Sequence, residues 1–189
     1  MKHSFWWLIV LSFVLMSCHN NSPRPYGYFR IDLPKHVYRP FNQGYPYSFD
    51  MSTFAADSAV KAKGEEYWIN IYYPKLNGCI YISYKPIHNN LQTIAEDCRT
   101  FVYKHTIMAE SITERRFENK DAKVYGILYD IKGDAASPLQ FMMTDSIHHV
   151  LRGALYFNDV PNKDSIAPVL NYVRKDIIKM IETLHWNKH

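Results

Sequence analysis

The sequence predicts an α+β fold, a mostly antiparallel sheet sandwiched by helices. The order of elements is the first sign: strands, one helix, four more strands and a closing helix, with turn-forming residues between the strands. Composition is the second. Hydrophobic residues are 47% and charged residues 21% of 189, which fits one globular domain and excludes wholesale disorder. A chain of this size builds a core without metal or disulfide staples. Tyrosine is the third, with 15 copies favouring strands.

From Tyr28, Tyr-Phe-Arg-Ile-Asp-Leu reads as an opening strand ended by Pro34. Residues 35–47 carry Pro40, Gly44 and Pro46 and read as irregular, with a second short strand at 47–51. Residues 66–73 read as a strand with Tyr67, Ile69, Ile71 and Tyr73 on one face. Pro74 to Gly78 supplies a turn, and Cys79 to Lys85 is the return strand, stopped by Pro86. Leu91, Ile94, Ala95, Cys98, Phe101, Val102 and His105 then recur at helical spacing over 90–106, capped by Asn89 or Asn90. Strands follow at 109–118, 122–131, 138–145 and 149–157, with Asn119-Lys120-Asp121 and Asp145-Ser146-Ile147-His148 as turns. The last helix, 165–185, is capped by Asp164 or Ser165 and carries Pro168 in its first turn. Its apolar stripe is Ile166, Val169, Leu170, Val173, Ile177, Met180, Ile181 and Leu184.

The first seventeen residues read as an export signal. Lys2 and His3 precede an apolar run from Phe5 to Met16, too short for a stable bilayer span. Leu15-Met16-Ser17-Cys18 looks like a bacterial lipobox, with Cys18 as the acyl acceptor. Several acyl chains on one cysteine exceed what stable membrane attachment needs. Residues 18–26 form a lipidated linker and 27–189 a single domain. Cys79 and Cys98 remain, in a compartment that permits a disulfide. Cys98 lies mid-stripe on its helix, and Cys79 shares a strand face with Tyr81 and Ser83, opposite Ile80, Ile82 and Tyr84. A helix packed on the isoleucine face would hold the sulfurs apart, so the pair is expected to be mainly unbridged.

Several chemistries find no support. A formal charge of +4 does not announce a nucleic-acid binder. The nine histidines include no H-x-x-x-H pair and none near a cysteine at zinc spacing, so no metal is expected. His148-His149 reads as a solvated turn. No G-x-S-x-G elbow, P-loop or dinucleotide fingerprint occurs, no cofactor is implied, and Ser137 has no base or oxyanion hole beside it in sequence. Glu65-Glu66 and Arg115-Arg116 read as solvated strand-edge charges. The strand tyrosines read first as sheet packing and second as an aromatic surface for a partner or glycan.

The segments GYFRIDLP (27–34), YPYSFD (45–50), INIYYPKLNG (69–78), YISYKP (81–86), RTFVYKHT (99–106), VYGILYDIKGDAASPLQFMMTDS (124–146), LRGALYFN (151–158) and PNKDSIAPVLNYVRKDI (161–177) closely resemble the gliding-motility lipoprotein GldD family. The resemblance runs in order over nearly the whole chain after Cys18. It implies a membrane-anchored lipoprotein needed for surface gliding and associated with the type IX secretion machinery, with other lipoproteins of that apparatus as partners. It implies no catalytic activity. The order of elements also looks like the Mog1/PsbP-type sandwich, an analogy of fold alone. The uncharged residues after Cys18 favour a periplasm-facing position, with inner or outer membrane left open.

Two functions follow from different classes: a non-enzymatic accessory or assembly lipoprotein, and a periplasmic glycan-binding module or cell-wall-acting enzyme. A flat tyrosine-rich patch would favour the first, and a buried pocket of convergent ionisable groups the second. The candidate partner interface is the loop Gly133, Asp134, Ala135, Ala136, Ser137 and Pro138, which lies within the most family-like block. Lys104, His105 and Thr106, at the end of the first helix, are expected to join it.

Overall fold

The structure, a computed structural model, describes residues 32–61, 63–104, 109–158 and 163–187. Its elements run β1 (Tyr38–Phe41), β2 (Tyr47–Ser52), β3 (Ala56–Ala59), β4 (Ile69–Tyr73), β5 (Gly78–Pro86), α1 (Leu91–Tyr103), β6 (Ala109–Asn119), β7 (Val124–Gly133), β8 (Leu139–Thr144), β9 (His149–Phe157), α2 (Lys163–Glu182) and β10 (His185–Trp186). Seven strands form the main sheet in the order β3-β4-β5-β9-β8-β7-β6, and β1-β2-β10 form a small one. Every pairing is antiparallel. The α+β class is as the sequence predicts.

Period-2 alternation gives the main sheet two different faces. Ile69, Ile71, Ile80, Ile82, Leu128, Phe141 and Leu155 point to one side, where Val173, Ile177 and Met180 of α2 and Phe41, Phe49 and Met51 of the small sheet close over them. On the other side α1 lies across the strands, and Val102 packs on Tyr129, Ile131 and Ala135. The sheet is thus covered by a helix on each face.

Several details differ from the sequence reading. The strand expected from Tyr28 lies outside the described residues up to Ile31, and 32–37 are not strand. Pairing begins instead at β1, inside the segment read as irregular. Pro40 tolerates this because β1 is an edge strand, where a missing N–H costs no ladder bond. β4 starts at Ile69 rather than 66, because Tyr67 takes a left-handed backbone with φ 62°. Neither β3 nor β10 shows an alternation long enough to read.

The two cysteines are unbridged as expected, but not for the expected reason. α1 packs on the face that carries Cys79 and Ser83, not on the isoleucine face: Cys98 shares a cleft with Ser83, Lys85 and Arg152. Both thiols are nevertheless free and buried. What separates them is distance along β5, since Ser83 stands four residues from Cys79, about 13 Å at strand rise. Burial pushes the Cys79 thiol up to about 11, against a small opposing hydrogen bond to Tyr81. Cys98 is also raised by burial, although Arg152 and Lys85 pull the other way. Disulfide mapping of protein taken directly from cells is expected to return Cys79 and Cys98 in separate unlinked peptides. A linked peptide as the major species would contradict the register of β5.

Candidate functional site

The β7–β8 loop is half inside and half outside. Ala135 is 2% exposed and Ser137 is fully buried, while Asp134 and Ala136 face solvent. Pro138 is buried, and its carbonyl accepts the Ile131 N–H at 2.9 Å. Ala135, Ser137 and Pro138 therefore serve the fold, which corrects the expectation that the whole loop is open surface. The physical reason is that Val102, Tyr129 and Ile131 need a small apolar lid, and Ala135 provides it. The same contact ties the loop to the end of α1. Lys104 caps that end and is exposed, whereas Cys18, His105 and Thr106 lie outside the described residues.

Register places an aromatic surface at the same end of the sheet. Tyr72 faces Cys79, and Cys79 faces Tyr156. Leu155 faces Leu139, so the start of β8 and the loop before it continue that row. Tyr72 is 39% and Tyr81 45% exposed, and Tyr81 meets the half-buried Tyr156 edge-on at 5.6 Å. α1 adds Phe101 and Tyr103, also exposed. Tyr73, Tyr84 and Tyr129 are buried, so strand tyrosines serve both packing and surface.

A cleft of about 610 Å³ lies between the sheet and α1, along the helix from Thr93 to Phe101. Lys85 Nζ is neutralised by Glu65 at 2.9 Å and lies 5.8 Å from the Trp68 ring. Trp68 Nε1–H donates to the Tyr84 carbonyl at 2.9 Å, which fixes that ring. Arg152 stacks on Phe101 at 4.7 Å and donates to Gln140 Oε1 at 3.2 Å. Lys104 lies 5.3 Å from the same Phe101 ring, which links the helix end to the cleft.

Two further clusters join side chains that the sequence does not place together. His149 is not a solvated turn residue: it stacks on Trp186 at 5.2 Å and sits 2.8 Å from the Tyr84 hydroxyl. The turn before it is built by Asp145, whose Oδ1 accepts the backbone N–H of Ile147, His148 and His149 at 2.9, 2.8 and 2.8 Å. Burial alone would raise this carboxyl, but the three backbone donors outweigh it and hold it below its ordinary range. A depressed carboxyl stabilises above its unfolded pKa, and the effect is lost as pH falls through the folded value. Asp145→Ala is therefore expected to cost about 1–2 kcal/mol at pH 7, with the gap closing under strong acid. Urea unfolding at pH 7 and pH 3 measures it, and an equal gap at both values would reject the account.

The second cluster surrounds Asp176 of α2, which is 3% exposed. Its Oδ1 accepts the Tyr38 hydroxyl at 3.1 Å and lies 2.7 Å from His36 Nδ1, and its Oδ2 accepts the Tyr73 hydroxyl at 3.0 Å. Burial, then the neighbouring carboxylate, pushes both tyrosines far above their ordinary value. The His36 ring also stacks on Tyr172 at 4.2 Å. Among the described residues no group of three or more His, Cys, Asp or Glu is placed to hold a metal ion, and no helix is long and apolar enough to cross a membrane.

The fold and these surfaces define an α+β domain with a helix on each face of its sheet and an aromatic, partly open outer face. The chain belongs to the gliding motility lipoprotein GldD family, whose model matches residues 18–186. The match begins at Cys18. It makes the protein a lipid-anchored component of the cell envelope related to gliding motility. Nothing matches among curated proteins. Among solved structures, the chain is similar to cyanobacterial PsbP (CyanoP) from Synechocystis, with TM-score 0.45 and 8% identity over 84% of this chain and 98% of that one.

Proposed function

We propose that this protein is a non-enzymatic accessory lipoprotein of the gliding and type IX secretion apparatus, held by lipid on Cys18 and facing the periplasm. Family membership supports the process, and a match that starts at Cys18 supports the anchor. The observation that carries the binding role is the outer face at one end of the sheet. There the exposed Tyr72 and Tyr81, with the half-buried Tyr156 against Tyr81, lie in line with a loop that exposes Asp134 and Ala136. Tyrosines of this kind give contact area at low entropic cost, and a small residue such as Ala136 lets a partner backbone come close. The partners are other lipoproteins or membrane proteins of the same apparatus.

Asp134→Arg and Ala136→Trp are expected to abolish colony spreading while shifting Tm by no more than about 2 °C, since both positions are exposed. Cys18→Ser, examined beside them, is expected to move the protein from the detergent phase to the aqueous phase and also to stop spreading. Normal spreading by both folded loop variants would remove this loop from the interface. Retention in the detergent phase by the serine variant would reject the anchor.

A further inference from the structure

The cleft beside α1 is not used by the reading above, and its chemistry is specific. We propose that it binds an acidic saccharide, with Arg152 receiving the carboxylate and the rings of Trp68 and Phe101 flanking the sugar. The proposal does not depend on the accessory role.

Arg152 is the first reason. It is half-buried, yet no carboxylate lies within ion-pairing distance of it among the described residues, whereas Lys85 in the same cleft is matched by Glu65. Its guanidinium is held in place by Phe101 on one side and by Gln140 Oε1 on the other. A partly enclosed cation that is fixed and unmatched is costly unless an anion meets it. A guanidinium meets a carboxylate in a two-pronged arrangement that an ammonium cannot copy.

Gln140 is the second. It is 1% exposed, its oxygen is occupied by Arg152, and its Nε2 has no acceptor among the described residues. An Asp or Glu at this position would neutralise the guanidinium. The amide orients it and leaves its charge available.

The lining is the third. About 610 Å³ suits a one- or two-ring ligand. Trp68 and Phe101 give aromatic walls, and Ser83, Asn90 and Thr93 give the hydroxyl and amide groups that a polyhydroxylated ring needs. Asp97 on the helix wall makes no ion pair with Arg152 and can accept from a sugar hydroxyl or acetamido N–H. Simple anions use the guanidinium alone, while a sugar acid uses all three features.

Titration calorimetry on the full chain in detergent tests this with three probes. They are N-acetylmuramic acid, N-acetylglucosamine (the same ring without the lactyl carboxylate) and acetate (the carboxylate without the ring). The acid sugar is expected to bind at least about tenfold more tightly than either fragment, because one charge-assisted contact is worth about that much. Arg152→Gln should lower its affinity about tenfold. Phe101→Ala should weaken all ring-bearing probes, and at 44% exposure its loss leaves the core intact. Equal binding of acid and neutral sugar would overturn the role of Arg152. Acetate binding as tightly as the sugar acid would reduce the cleft to a simple anion site and overturn the saccharide class. No binding of any probe at about 20 mM, far above the millimolar range of a lone weak contact, would overturn the site.

Discussion

Gly126→Ala is expected to destabilise the domain by about 3 kcal/mol or more, near the upper end for a one-carbon change. Gly126 sits in β7 opposite Met143 of β8, one strand in from the β6 edge of the seven-stranded sheet and paired on both sides. A Cβ at this position would fall on the carbonyl oxygen of Met142 and come within 2.6 Å of Met143 Sδ. The obstacle is backbone, fixed by strand pairing on both sides, and it cannot swing away. Gly153→Ala makes a useful contrast. There a Cβ would meet the end of the Phe141 ring, a side chain that can shift, so the cost should be smaller. Gly44, at φ +73° with nothing within 4 Å, should lose only about 1 kcal/mol on the same change, from backbone strain alone. Urea unfolding of the three variants should rank them in that order. A Gly126→Ala protein as stable as the parent would mean that β7 and β8 are not paired in this register.

Asp176→Ala is expected to cost about 3 kcal/mol, for an electrostatic reason rather than a steric one. The carboxylate collects contacts from His36, Tyr38 and Tyr73, and Tyr73 is 1% exposed. Removing the acceptor leaves the buried Tyr73 hydroxyl without its partner. Asp176→Asn keeps one carbonyl oxygen and should recover part of the loss. Pairing Asp176→Ala with Tyr73→Phe separates the two contributions. If the tyrosine hydroxyl is the stranded group, the double variant should be no less stable than Asp176→Ala. Additive losses in that cycle would show that the two residues do not interact.

These positions also show what a linear reading can reach. β6, β7, β8 and β9 are legible because runs rich in strand-forming residues are punctuated by junctions that carry Asn, Asp, Ser or Gly. α2 was legible from its stripe, yet Tyr172 and Asp176 are buried too and do not look like core residues in sequence. β1 was hidden by Pro40, and β3 by a run of Ala, Asp and Ser that has no apolar period. Helical spacing identified Cys98 and Val102 as the buried edge of α1, but Phe101 of the same stripe is exposed, and the spacing did not tell which face of the sheet the helix would cover. Strand parity is equally consistent with both faces. The contacts of His36 with Asp176, and of Arg152 with Phe101, join residues far apart in the chain. No spacing rule anticipates them. Length and small residues mark the candidate loop 133–138 in the sequence. Burial then divided it, because Ala135 is small for packing and Ala136 is small at the surface.

The Asp176 cluster has a mechanical consequence if the lipid is carried by Cys18, as proposed above. Any pull on the lipid travels along the chain and reaches the domain just before β1. That strand alone is a poor anchor: it pairs only with β2, over four residues at the edge of the small sheet. The load meets two fastenings before it arrives there. His36 is held to Asp176, and the Val37 carbonyl accepts the Thr53 N–H at 2.9 Å. Asp176 belongs to the helix whose Val173 and Ile177 are fully buried against the main sheet. Tension is therefore passed from the tether to the core of the molecule, and the edge strand is spared. The cluster works as a strain relief, like the clamp where a cable enters its housing.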